Sequence, residues 1–109
     1  MGFAAGNLAF VDHRREGREE VHHRARAFGP DARAVQLLIV NVSPHGMMAR
    51  CEREYAVGDR LRITLPVLGV VVAEVRWCLG GRLGCQFEPA MDLASYYELL
   101  AMLMKSGHV

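Results

Sequence analysis

The segment Gly58-Asp59-Arg60-Leu61-Arg62-Ile63-Thr64-Leu65 alternates polar and apolar side chains. Period two is what a strand needs when one face lies on a core and the other in water. The same pattern recurs in short pieces along the chain. Val21, His23, Ala25 and Ala27 fall on one face of a strand, with Glu20, His22, Arg24 and Arg26 on the other, and Gly29-Pro30-Asp31 breaks it. Ala34 to Val40 is rich in β-branched and aliphatic residues; Gly46 to Cys51 predicts a short strand and Val70 to Trp77 a long one. Arg82 to Glu88 predicts another, after the turn signal Gly80-Gly81. Six short, closely spaced strands imply an all-β antiparallel barrel or closed sandwich, arrangements that remove exposed edges.

The period changes near the end. From Asp92, an N-cap residue type, Leu93, Tyr96, Tyr97, Leu100, Leu103 and Met104 recur at helical spacing, and Gly107 stands just beyond. This predicts a C-terminal α-helix packed on the barrel. Trp77, on a long apolar strand, is expected in the core, and the pair Tyr96 and Tyr97 on the buried face of the helix, with one edge free for a partner.

At 109 residues the chain suits one modest core and is too short for a large cofactor cleft between two domains. The expected organisation is a flexible arm over 1–13, one domain over 14–104 and a tail over 105–109. Thirteen basic residues against twelve acidic ones leave a net charge of +1, which lacks the footprint of a general DNA or RNA binder or of an anionic-membrane binder. The apolar stretch Leu65 to Ala73 contains Pro66 and Gly69 and is well short of the ~20 residues that span a bilayer, so no membrane insertion is expected. The start shows neither the basic nor the apolar region of a secretory signal, and the expected location is cytoplasmic. Cys51, Cys78 and Cys85 are odd in number and lack C-x-x-C spacing, which fits reduced, half-buried cysteines better than a disulfide framework or a zinc knuckle.

Two motifs stand apart from this scaffold. Before the first strand lies Arg14-Arg15-Glu16-Gly17-Arg18, an R-x-x-x-R spacing with an added arginine. A guanidinium presents a planar fork to phosphate oxygens or to O6 and N7 of guanine, and stacks on a purine face. The plain alternative is a solvated arm whose arginines pair with Glu16, Glu19 and Glu20. Between the second and third strands lies Asn41-Val42-Ser43-Pro44-His45-Gly46. If strand geometry runs on to Ser43, Asn41 and Ser43 project from one face. The Asn41 amide then offers a donor and an acceptor to a base edge and the Ser43 hydroxyl a donor to phosphate, while Gly46 permits a sharp turn or a close backbone approach. The alternative is an ordinary turn.

Taken together, Arg-x-x-x-Arg, a strand, and then Asp/Asn-x-Ser-x-x-Gly at a strand junction resemble the PilZ domain. The likeness continues through Gly58-Asp59-Arg60-Leu61, Val72-Ala73-Glu74-Val75-Arg76-Trp77 and Gly81-Arg82-Leu83-Gly84-Cys85-Gln86-Phe87, and covers about residues 14 to 104. It implies a six-stranded antiparallel β-barrel that binds the bacterial second messenger cyclic di-GMP as a ligand, with no cofactor and no catalysis. It also implies a receptor that changes the surface shown to a downstream partner protein. Carried over, it puts Arg14 and Arg18 on guanine and phosphate, Arg15 on a further phosphate, Asn41 on a guanine edge, Ser43 on phosphate or base, and Gly46 at the enabling turn. The family pattern often has Asp where Asn41 stands; the amide keeps the carbonyl acceptor and loses a charge that would orient the arginines. Some PilZ domains lacking these motifs bind no nucleotide and serve as adaptors, which is the alternative reading.

Other constellations carry less. His22 and His23 are adjacent on a strand and point to opposite faces, so they cannot share a metal ion. Ser43 and His45 lack a G-x-S-x-G elbow and a third orienting group, which argues against a hydrolase. A small OB-like barrel for single-stranded nucleic acid would want more than 7% aromatic residues and a positive groove.

Overall fold

In a computed structural model, which describes residues 18–107, six strands close into an antiparallel barrel followed by one helix. The elements are β1 (Glu19–Phe28), β2 (Ala34–Val42), β3 (Gly46–Arg50), β4 (Arg60–Leu65), β5 (Gly69–Leu79), β6 (Arg82–Glu88) and α1 (Leu93–Gly107). Around the barrel the order is β1-β2-β3-β6-β5-β4, with β4 pairing back to β1 through Ala27 with Ile63 and Phe28 with Arg62. The arm expected over 1–13, with Arg14 and Arg15, lies outside the described residues. No helix among those described is long and apolar enough to cross a membrane.

The alternation in β4 is complete: Leu61, Ile63 and Leu65 are buried while Arg60, Arg62 and Thr64 are exposed. Ala25 and Ala27 of β1 and Leu37 and Ile39 of β2 fill the same interior. From β5 and β6 come Ala73, Val75, Leu83 and Phe87. Of the three cysteines Cys78 is half-buried as expected, whereas Cys51 and Cys85 are buried, and burial pushes the Cys85 thiol up to about 12. On the polar side, Arg60 Nε donates to Glu88 Oε1 at 2.8 Å between β4 and the end of β6.

The helix packs on β1 through a narrower stripe than the sequence pattern implied. Tyr96, Leu99 and Leu103 are buried, a spacing of three and then four that keeps one line of contact on the barrel. Tyr97 is 61% exposed and Leu93 60%, so the expectation that both tyrosines face inward holds for Tyr96 alone. Leu99, absent from the expected stripe, is fully buried. Asp92 caps the first turn, accepting from the Ser95 N–H at 2.7 Å, and the helix runs through Gly107 instead of stopping before it. Tyr96 Oη donates to the Val42 carbonyl at 3.2 Å, tying the helix to the end of β2.

Three strands carry bulges at one end of the barrel. In β1 the register shifts between Glu20 and His23, in β2 between Ile39 and Asn41, and in β5 between Val75 and Trp77. In β5, Val75 sits opposite Cys85 and Trp77 opposite Gly84, so two steps on one strand meet one on the other. An inserted residue inverts the facing of the side chains beyond it. Trp77 shares the parity of buried Ala73 and Val75 and would be a core residue in a regular strand; the bulge turns it outward, and it is 42% exposed. The expectation of a core tryptophan is corrected on this ground. Asn41 is turned out of the parity of buried Leu37 and Ile39 in the same way.

Candidate functional site

The bulged end of the barrel holds a cleft of about 270 Å³, and four of the six residues singled out in the sequence line it: Arg18, Asn41, Ser43 and Gly46. Arg14 and Arg15 lie outside the described residues. Arg18 stands one residue before β1 and is exposed.

The floor of the cleft depends on how closely β3 approaches β6. Gly46 is paired with Gln86, and a β-carbon at Gly46 would fall on the Cys85 carbonyl oxygen. Of the two reasons the sequence allowed for this glycine, close approach is the operative one, because its φ is not positive. The turn before it is built by Ser43, which ends the strand run one residue after Val42. Ser43 Oγ accepts from the His45 N–H at 3.2 Å and the Gly46 N–H at 3.3 Å, and the Ser43 N–H donates to the Gly46 carbonyl at 2.9 Å. The Phe87 N–H donates to the His45 carbonyl at 2.8 Å and the Met91 N–H to the Pro44 carbonyl at 2.9 Å, which pins the turn to the chain leading into α1. Ser43 is therefore a turn-forming residue as well as a lining one. Its hydroxyl proton is not committed by the bonds it accepts and is free to donate into the cleft.

Sequence reasoning missed the wall opposite. Trp77 and Arg76 of β5 line the same cleft, as do His45 and Gln86. The Trp77 ring packs on Gly84, where a β-carbon would collide with Nε1, Cε2 and Cδ1. Arg76 Nη1 is 3.9 Å from Glu74 Oε1, a loose pair between an exposed guanidinium and a half-buried carboxylate that leaves most of the arginine's donors unengaged among the described residues. The readable signal was Gly84 opposite a tryptophan across a strand pair; the bulge that exposes Trp77 has no sequence mark.

The cleft thus gathers two guanidinium groups, two amides, a hydroxyl, an imidazole and a half-exposed indole. Such a set offers charge-assisted hydrogen bonds to an anion, a donor and acceptor to a base edge, and a surface for ring stacking. Among the described residues there is no group of histidine, cysteine and carboxylate side chains placed to hold a metal ion.

The PilZ domain family model matches residues 12–105, and the chain belongs to that family. PilZ is a family of cyclic di-GMP-binding and adaptor domains rather than of catalysts. No curated protein matched the chain.

Proposed function

We propose that this chain is a cyclic di-GMP receptor whose ligand lies in the cleft between the β2–β3 turn and Trp77. The observation that carries the reading is the convergence of Arg18, Asn41, Ser43 and Gly46 on one cleft that also presents Arg76 and Trp77. At about 270 Å³ the space is below the usual range for a whole small-molecule pocket, and suits one guanine with its neighbouring phosphate. In this reading the indole stacks on the base, the Asn41 amide meets a base edge, and Arg18 and Arg76 take phosphate or the O6/N7 edge. Arg14 and Arg15 precede Arg18 by four and three positions and would close over the rest of the ligand.

A ligand held by the segment before β1 and by the barrel alters the surface shown to a partner protein, which is how a domain without chemistry of its own passes on a message. Calorimetric titration with cyclic di-GMP tests the proposal. Binding at ~1 μM, about −8 kcal/mol, is expected; no heat up to ~100 μM would refute it. Cyclic di-AMP should bind far more weakly, because adenine sets an amino donor where guanine sets the O6 acceptor.

A further inference from the structure

A second groove lies on the outside of the barrel and shares no lining residue with the cleft. Arg24 of β1 stands opposite Leu38 of β2, Leu38 opposite Arg50 of β3, and Arg50 opposite Arg82 of β6, one row across four neighbouring strands. The three arginines are exposed and Leu38 is half-buried. With strands about 4.8 Å apart, the row sets three outward cations along roughly 15 Å, with an apolar gap in second place. Arg53, from the loop after β3, lines the same groove, whose volume is about 1120 Å³.

Among the described residues these cations have no ion-pair partner. The described ion pairs engage Arg33, Arg60 and Arg76, and none involves Arg24, Arg50, Arg53 or Arg82. The Arg53 guanidinium is near enough to the Tyr55 hydroxyl to oppose the upward push of burial on its pKa, yet the two do not meet hydrogen-bond geometry. Arg53 Nη1 is buried without a hydrogen-bond partner among the described residues. A buried donor on a charged group left unpaired is costly, and the like charges beside it repel one another. The one carboxylate lining the groove, Glu52, is exposed.

We propose that this groove docks an acidic segment of a partner protein, with carboxylates on Arg24, Arg50, Arg82 and Arg53 and an apolar side chain against Leu38. Charge complementarity requires an anionic occupant, and two observations favour a peptide over a nucleic acid. The whole chain carries a net charge of only +1, without the basic excess that a nucleic acid, whose affinity comes from many phosphates, would call for. The apolar position Leu38 within the row matches a side chain that a peptide has and a sugar-phosphate backbone lacks. The groove is also far broader than a single small anion needs. This docking does not depend on cyclic di-GMP binding, although β3 reaches both places, with Gly46 in the cleft and Arg50 in the groove.

The test is fluorescence anisotropy with a labelled peptide of alternating glutamate and leucine, against an oligothymidylate of equal charge, for the full chain and three paired variants. Arg50→Ala with Arg82→Ala should weaken peptide binding about tenfold or more. Arg50→Lys with Arg82→Lys should fall between, since the charge stays and the planar fork is lost. Arg60→Ala with Arg62→Ala, on exposed positions of β4 away from the groove, should leave binding within about twofold. Equal weakening by the two alanine pairs, or tighter binding of the oligothymidylate than of the peptide, would overturn the proposal. Cyclic di-GMP titration of the same proteins separates the two readings: failure there with this peptide pattern intact removes the receptor assignment and leaves the groove standing.

Discussion

Trp77 lies across Gly84, its ring atoms Nε1, Cε2 and Cδ1 filling the space where a β-carbon on that residue would stand. The two are register partners just past the β5 bulge, so the same irregularity that exposes the indole also gives it a bed. Gly84→Ala should therefore lift the ring from the barrel. The expected outcome is a red-shifted tryptophan emission together with a loss of cyclic di-GMP affinity close to that of Trp77→Ala, about 1 to 3 kcal/mol for one stacked base. Fluorescence and calorimetry on the two variants check it; unchanged emission and affinity in Gly84→Ala would remove Trp77 from the site.

The turn residues should separate by what they hold. Gly46→Ala drives a β-carbon into the Cys85 carbonyl, which only a backbone shift relieves, and should cost at least about 2 kcal/mol of stability. Ser43→Ala removes the side-chain acceptor of the His45 N–H, while the Gly46 N–H keeps its bond to the Ser43 carbonyl, and should cost about 1 kcal/mol as well as affinity. Asn41→Ala should weaken ligand binding while moving stability by less than about 0.5 kcal/mol. Urea melts give the order; a Ser43→Ala variant as stable as the parent would mean the turn closes without its hydroxyl.

Legibility in the sequence tracks the regular parts of the barrel. Period two in Arg60 to Leu65 survives intact because β4 has no bulge, and its three apolar residues are all buried. Parity places Trp77 in the core because it assumes an unbroken strand, and a bulge is decided by how three-dimensional closure distributes strain, not by residue type. The motif residues Arg18, Asn41, Ser43 and Gly46 were found because polar and glycine residues stand out against an apolar pattern. Arg76 and Gln86 were hidden because an outward polar side chain is what every half-buried strand supplies. On α1 the helical period predicts a wider apolar stripe than the one buried, since Leu93 and Tyr97 fit the period yet are exposed.

Acid should act on stability in two separate windows. Burial lowers the pKa of His23 below its ordinary 6.5, so the unfolded chain takes up a proton there first and stability falls as pH drops below that value. Asp92 is held below its ordinary 3.8 by the hydrogen bond from the Ser95 N–H, and Glu88 below 4.5 by the Arg60 guanidinium. Their contributions are full above those ordinary values and are lost as pH falls through the lowered ones. Thermal melts across this range should show an upper step that His23→Gln removes and a lower one that Asp92→Asn reduces. An upper step that persists in His23→Gln would assign it elsewhere.

Arg18 gives the sharpest test of how the cleft recognises its ligand, because it is the one motif arginine whose position is described. It stands immediately before β1, exposed, with its side chain on the cleft and no described carboxylate partner. Removing it therefore leaves no buried group unpaired and touches no core contact, so Arg18→Ala should melt within about 0.5 kcal/mol of the parent. Its contribution to binding should be that of a charge-assisted hydrogen bond, and a loss of about 1.5 to 3 kcal/mol of cyclic di-GMP affinity is expected. Arg18→Lys discriminates the kind of contact. A lysine retains attraction to phosphate as a point charge, so near-full rescue would place Arg18 on a phosphate. Guanine O6 and N7 need two donors in a fixed plane, so affinity in Arg18→Lys close to that of Arg18→Ala would place it on the base. Raising salt reads the same distinction independently, since a phosphate contact is screened while a base-edge fork is less so. If Arg18→Ala binds cyclic di-GMP as the parent does, the arginine takes no part in recognition, and the case for the cleft rests on Asn41, Arg76 and Trp77.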